Sequence, residues 1–256
     1  MSNTVYVITG SNKGIGLGLV KSLLARPATT VVASVRSNDA EAELKAGIAD
    51  VPKGGKSELF VMQLDFTKAP LPAAVREAFT AATSGTVDRI DVLVSNAGAQ
   101  FPLTPTSTTS PEDLRGAFEV NTVAPLMVFQ GLWPLLDKPR EEADGLAKFI
   151  AISSSVGSIE CLEPVPGGAY GTSKAALNWL TKSLHAQHKN LVSVAVHPGW
   201  VQTAMGFRAA KEWHYDPGPP DSIESSVAGV LNVIDGASRE TTSGKFVTQT
   251  GQVVPW

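Results

Sequence analysis

The sequence has one cysteine, Cys161, and four histidines among its 256 residues, so neither an internal disulfide nor a multi-thiolate metal centre is open to it. His185, His188, His197 and His214 form no HExxH-type pair, and no catalytic metal is expected. No apolar run approaches the ~18 residues that a membrane helix needs. No basic-then-apolar leader precedes the first structured pattern. These absences predict a cytoplasmic protein without a membrane partner, and the lone thiol agrees with a reducing compartment. Lysine and arginine form no run and the formal net charge is −3, which argues against a broad nucleic-acid-binding face. Aromatic residues are scarce, at 7%, so any local concentration of them stands out.

What the chain does have is alternation. A 43% hydrophobic content is enough for one large core, and no shift in composition divides the chain, so a single domain is expected. Thr4 to Thr9 reads as a strand, Gly10 to Gly16 as a glycine turn, and Leu17 to Leu24 as a helix. Strand patterns recur at 30–34, 58–64, 90–95, 148–152, 192–197 and 245–248. Helical patterns lie at 40–46, 73–82, from 110 onward, at 169–188 and at 222–233, and an irregular Pro/Gly-rich section runs to about Pro220. Ser110 is placed to cap the long helix, with Pro111 at its first position and Glu112 and Asp113 at the positive end of its dipole. Strands alternating with helices, several of them continuously apolar, predict an α/β fold: a doubly wound parallel sheet with helices on both faces.

Two chemical devices emerge from the pattern. Tyr170 and Lys174 are four residues apart in a helical run, so phenol and ammonium point the same way. A nearby cation favours phenolate and brings a tyrosine pKa down from about 10 toward the range useful to a proton donor. The second device is Gly10, Gly14 and Gly16 at the first strand-to-helix junction, where a tight backbone can approach a pyrophosphate and aim a helix N-terminus at it. At the end of the second strand a carboxylate would suit a ribose 2′-hydroxyl, whereas a cation suits a 2′-phosphate. This strand ends Ser34-Val35-Arg36 with no acid before Asp39, and Lys13 adds a cation inside the turn. The expected cofactor is therefore NADPH/NADP+.

Asn121 carries an independent argument. Pro125 has no N–H, so the carbonyl four residues before it loses its helical donor and is free to accept from water. A kinked helix with a solvated carbonyl is the alternative.

Thr9 to Gly16 (TGxxxGIG), Asn96-Ala97-Gly98, Asn121, the serine cluster after 152, YxxxK at Tyr170, and Pro198-Gly199 come in one order along nearly the whole chain. In that order and spacing the sequence resembles the short-chain dehydrogenase/reductase family. Its last segment is similar to that of fungal ketoreductases of the norsolorinic acid type and C-factor-like proteins. The resemblance implies a Rossmann-type domain over 1–256. It also implies Tyr170 as general acid in reduction and Lys174 as the group that lowers its pKa and binds the nicotinamide ribose. A serine would hold the substrate carbonyl oxygen, and the Asn121 carbonyl would hold a water linked to the lysine. Matching Ile152-Ser153-Ser154-Ser155-Val156-Gly157 to the family's ISSxxG pattern selects Ser154, with Ser153 and Ser155 as the neighbours a shifted register would bring in. The interval to Tyr170 is longer than usual, and Pro164, Pro166, Gly167 and Gly168 can absorb it.

The resemblance further places cofactor contacts at Gly10, Asn12, Lys13, Gly14, Ile15, Gly16 and Arg36, at Asp65 and Phe66, and at Asn96 and Gly98. Pro198, Gly199, Val201 and Thr203 would hold the carboxamide end. Asp65 keeps two readings, an adenine contact or a cap of the next element. A stretch with Phe207, Trp213, His214 and Tyr215 reads as a substrate lid at about 200–220, or else as a packed surface loop. Gln100, Phe101, Cys161 and Leu162 would complete an apolar wall for a small-molecule ketone. The helix from Ala169 has a second apolar side, Ala175, Trp179 and Ala186, which suits a homodimer or homotetramer or, alternatively, a local loop. Besides a ketoreductase, the motif set admits a non-catalytic NADP(H)-binding regulator and an epimerase of the same fold.

Overall fold

Along the first strand, Val5 and Val7 belong to one hydrophobic core and Tyr6 and Ile8 to another, because successive side chains leave a strand on opposite faces. The computed structural model describes residues 3–139 and 145–256. It is one eight-stranded sheet in the order β3-β2-β1-β4-β5-β6-β7-β8. The strands are β1 (Thr4–Ile8), β2 (Thr29–Val35), β3 (Glu58–Gln63), β4 (Val92–Ser95), β5 (Ala147–Ile152), β6 (Leu191–His197), β7 (Phe246–Thr248) and β8 (Val253–Val254). All neighbours pair in parallel except β7 and β8.

Helices α1 (Gly14–Leu24), α2 (Asn38–Gly47) and α8 (Ile223–Gly236) cover one face, where Leu19, Leu23, Leu44, Val227 and Val230 meet Tyr6, Ile8 and Val31. Helices α3 (Pro72–Ala82), α5 (Ala124–Leu136) and α6 (Gly168–Gln187) cover the other through Val75, Phe79, Phe129, Leu132 and Leu177. Serine caps set the starts: Ser37, Ser110 and Ser222 accept from Ala40, Asp113 and Ser225 amides at the heads of α2, α4 (Pro111–Phe118) and α8.

Three features depart from the sequence reading. The long helix from Ser110 is not uniform: a π turn, Glu119–Val123, separates α4 from α5. The Ala124 amide reaches back five residues to the Glu119 carbonyl just before Pro125 withholds its own donor. The section to Pro220 is not irregular throughout, since it contains α7 (Ala204–Glu212), capped by Thr203. Beyond the expected last strand, β8 folds back antiparallel onto β7.

The strand order reverses between β1 and β4, and a crevice opens there at the carboxyl ends of the strands. Apart from Asn121, which lies in the π turn, the motifs named above end a strand or begin a helix at that edge. Among the described residues no helix is long and apolar enough to cross a membrane.

Candidate active site

The crevice is a cavity of about 1000 Å³ lined from Gly10, Lys13 and Gly16 at one end to Ser154, Tyr170 and Trp213 at the other. Its first wall is the β1–α1 turn. Gly10 and Gly14 have φ of 70° and 56°, in the left-handed region that disfavours side chains. A Cβ on Gly10 would lie 2.9 Å from the Cα of Ala97, and one on Gly16 would overlap the Gly10 carbonyl and Asn96 Nδ2. No side chain caps α1, whose N-cap is Lys13, so its leading amides stay available to an anion.

Asn96 fastens this turn to β4. Its Nδ2 donates to the carbonyls of Thr9 and Gly10 at 2.8 and 3.0 Å, while the Asn96 and Ala97 amides donate to Thr9 Oγ1, both at 3.0 Å. Thr9, buried and part of the TGxxxGIG signature, is thus a structural member of the site that sequence reasoning left without a role.

Lys13 and Arg36 are both exposed and both line the cavity. The glycine turn is also linked to α2, where Asn12 Nδ2 donates to Glu43 Oε2 at 2.6 Å. Asp65 accepts from the Thr67 amide and hydroxyl, each at 2.9 Å, and also lines the cavity beside Phe66. Asp65 therefore closes a local turn and does not cap α3, whose N-cap is Leu71.

At the other end, α6 brings Tyr170 and Lys174 against the end of β5. Ser154 lies beside the Tyr170 hydroxyl, close enough to act on its pKa, and both residues line the cavity. Ser153 turns away, donating to Asn178 Oδ1 at 2.6 Å, as strand alternation requires. Lys174 is 3% exposed, donates to the Ile152 carbonyl at 2.8 Å, and has its Nζ 5.6 Å from the Tyr170 ring centroid. Burial pulls its pKa down to about 8. Burial also pushes Tyr170 up to about 12, with Ser154 acting in the opposite direction. Burial sets the direction of the Tyr170 shift, and Lys174, whose Nζ donates to the Ile152 carbonyl, is not among the groups that oppose it.

Asn121 is fully buried beneath this pair in the π turn. Its Nδ2 donates to the Ala99 carbonyl and Ser173 Oγ, and its Oδ1 accepts from the Ala99 amide. The side chain therefore joins the Asn96–Ala99 turn to α6. Ser173, inside the YxxxK run, is the second residue missed from sequence.

The segment 198–203 is held by several hydrogen bonds. Asp221 Oδ2 accepts from the Trp200 amide at 2.9 Å, Ser226 Oγ donates to the Pro198 carbonyl at 2.6 Å, and Gly199 has a φ of 88°. Thr203 caps α7 through the Gly206 amide at 3.1 Å. Above it, Trp200 packs against Trp213 and Tyr215 with centroids 5.6 and 5.0 Å apart, and Trp213 Nε1 donates to the Pro166 carbonyl. Glu212 accepts from Leu103 N and from Arg208, joining α7 to the loop after β4.

Four pocket residues expected from sequence do not line the cavity. The ring of Phe101 packs over Gly116, which has no Cβ to oppose it. Cys161 and Leu162 are exposed on the outside, and Phe207 is 54% exposed beside Gly218, because α7 turns Gly206, Ala209 and Ala210 inward. Gln100 and Trp213 do line it, joined by Leu103, Val165 and Tyr215.

A family model described as short chain dehydrogenase matches residues 4–213. The short-chain dehydrogenase RED3 of Pyricularia oryzae is 38% identical over 99% of each chain. The norsolorinic acid ketoreductase nor1 of Dothistroma septosporum is 35% identical, covering 99% of this chain and 92% of that one. Among solved structures, NADPH-bound carbonyl reductase from chicken fatty liver superposes with a TM-score of 0.81 at 30% identity, covering 100% of both chains.

Proposed function

The chain belongs to the short chain dehydrogenase family, and from that membership we propose an NADP-dependent ketoreductase acting on a carbonyl of a moderately large apolar or aromatic substrate. The observation that carries the reading is the Ser154–Tyr170 hydroxyl pair, set beside Lys174 at one end of a cavity whose other end is an open helix N-terminus. Carbonyl reductase and ketoreductase names among the relatives support the same reaction class.

The residues fit an extended dinucleotide with two anionic groups, a pyrophosphate and a 2′-phosphate. Gly10, Asn12, Gly14, Ile15 and Gly16 would cradle its pyrophosphate, and Lys13 and Arg36 would meet a 2′-phosphate. Asp65 and Phe66 would flank the adenine, Asn96 and Gly98 the ribose, and Pro198, Gly199, Val201 and Thr203 the carboxamide. When bound, NADPH supplies the hydride that a carbonyl carbon accepts.

That reaction leaves charge on the carbonyl oxygen, so the chain needs one donor to hold the oxygen and one to give it a proton. Ser154 holds, and Tyr170 delivers. A Tyr170 pKa near 12 suits the proton-bearing form, and a tyrosinate left behind needs the Lys174 charge beside it. The Asn121 backbone carbonyl, four residues before Pro125, would hold the water that returns a proton through Lys174. Leu103, Val165, Trp200, Trp213 and Tyr215 form the apolar and aromatic wall expected of an aryl ketone site, with α7 and the following turn as its lid. The chain would act as one domain and self-associate through Trp179 on α6.

The test is incubation of the pure protein with NADPH and a panel of aryl and polycyclic ketones, following loss of NADPH absorbance. Oxidation dependent on ketone is expected. Tight NADPH binding without oxidation across the panel would overturn the reading in favour of a regulator.

A further inference from the structure

β6 ends at His197, and its ring faces the catalytic serine segment. The Ser153 amide donates to the Val196 carbonyl at 2.8 Å, continuing the sheet one step beyond β5. The chain then leaves the sheet in a single 3₁₀ turn, Ser155–Gly157, with Ser154 at its head. Within that turn the Val156 amide approaches Ser154 Oγ at 3.3 Å and the Gly157 amide bonds the Ser154 carbonyl at 3.0 Å. The Ser155 amide has no turn partner of this kind. It donates to His197 Nδ1 at 3.1 Å.

This contact fixes the imidazole tautomer. An Nδ1 that accepts an amide hydrogen carries its lone pair, so the neutral ring bears its hydrogen on Nε2. An imidazolium has no acceptor and cannot make the bond. His197 is itself held from both sides, since its carbonyl accepts from the Gln249 amide at 2.8 Å and the buried Pro198 follows it. The ring therefore bridges the segment that presents Ser154 and the segment that begins Pro198-Gly199.

We propose that His197 is a positioning residue, whose neutral Nδ1 sets the Ser154 hydroxyl through the Ser155 amide, and that its protonation releases that hydroxyl and gives turnover an acidic limb. The proposal rests on the ketoreductase reading only for its kinetic part. The groups facing the ring are Glu163 from the loop before α6, Asp221 from the loop before α8, and Tyr170 and Lys174 across the same cavity. Burial lowers the His197 pKa below its ordinary value of 6.5, while Glu163 and Asp221 work the other way. The acidic limb therefore lies below pH 6.5, and proton binding by the unfolded chain in that range makes stability fall in the same window as pH drops.

Two measurements test it. In the protein alone, nitrogen-15 NMR of histidine side chains should show His197 in the Nε2–H form at neutral pH, titrating below 6.5; an Nδ1–H tautomer would overturn the proposal whatever the protein's activity. In kinetics, His197→Leu should lower kcat by about 10- to 100-fold, the scale of a misplaced reacting group, without weakening NADPH binding. His197→Asn, whose carbonyl oxygen can accept the Ser155 amide but does not titrate, should recover turnover relative to His197→Leu and remove the acidic limb. A matching loss of kcat and NADPH affinity in His197→Leu, or an acidic limb persisting in His197→Asn, would sink it. Absence of turnover in the unmodified protein would defeat the ketoreductase reading while leaving the NMR result to judge the histidine.

Discussion

The Lys174 ammonium donates to the Ile152 carbonyl at 2.8 Å, two residues ahead of Ser154. One buried cation thus ties the helix that carries Tyr170 to the strand end that carries the serine. Replacing Lys174 by Ala should disturb the placement of both hydroxyls and, on the proposed reading, remove a contact to the cofactor ribose. A charge-assisted hydrogen bond contributes about 1.5–3 kcal/mol, so NADPH affinity should fall by roughly 10- to 150-fold alongside kcat. Fluorescence titration of NADPH checks this, and a Lys174→Ala protein with normal affinity would separate the two tasks.

The same burial makes stability respond to pH. With Lys174 near 8 in the folded protein and near 10.5 when unfolded, the unfolded chain binds more protons between those values. The slope of stability with pH is therefore positive in that window. This lysine costs stability below pH 8 and ceases to above pH 10.5. Lys174→Met should flatten that part of a plot of Tm against pH measured on the protein alone. An unchanged plot would mean that the ammonium is solvated.

Tyr170→Phe removes the hydroxyl proposed as proton donor but keeps the ring. General acid catalysis contributes about 10²- to 10⁴-fold, so kcat should fall by that factor with NADPH affinity retained. Substantial remaining turnover would reassign the acid.

Much of this site was legible because its chemistry sits at strand ends, where punctuation is strong. Glycines, prolines and the Tyr170–Lys174 spacing announce turns and a helix face without reference to the rest of the chain. The α/β alternation was legible too, since β2 and β6 are short runs rich in valine and buried almost throughout. What the sequence withheld depends on long-range contact. Helix α7 is short and follows a Pro/Gly-containing stretch, and its position is set by the Thr203 cap and by Glu212 reaching Leu103. Phe101, Cys161, Leu162 and Phe207 are adjacent in sequence to the pocket yet turned from it, which residue type and spacing do not encode. Neither Thr9 nor Ser173 has a property of its own that marks it; Thr9 matters through the Asn96 and Ala97 amides and Ser173 through the Asn121 side chain, each far along the chain.

Arg36 and Lys13 are the exposed cations of the glycine-turn end of the cavity. NADPH should be preferred to NADH in kcat/KM, and Arg36→Asp should erode that preference by roughly 10- to 150-fold, the worth of one charge-assisted contact plus loss of a cation. Use of both cofactors at equal efficiency by the unmodified protein would defeat the 2′-phosphate assignment.

Trp179 is 68% exposed on α6, with Ala175 and Ala186 on the same side of the helix. An exposed indole beside small residues is shaped for a second helix, and covering it would remove a large apolar area from water. Because Trp179 makes little contact with its own core, Trp179→Glu should change the stability of the isolated subunit by no more than about 0.5 kcal/mol. A buried carboxylate at a helix pair would be far more costly, so the oligomer should dissociate. Sedimentation velocity would show a dimer or tetramer for the unmodified protein and a monomer for Trp179→Glu. A monomer in both cases, or an unchanged oligomer in the variant, would place the self-association surface elsewhere or remove it altogether.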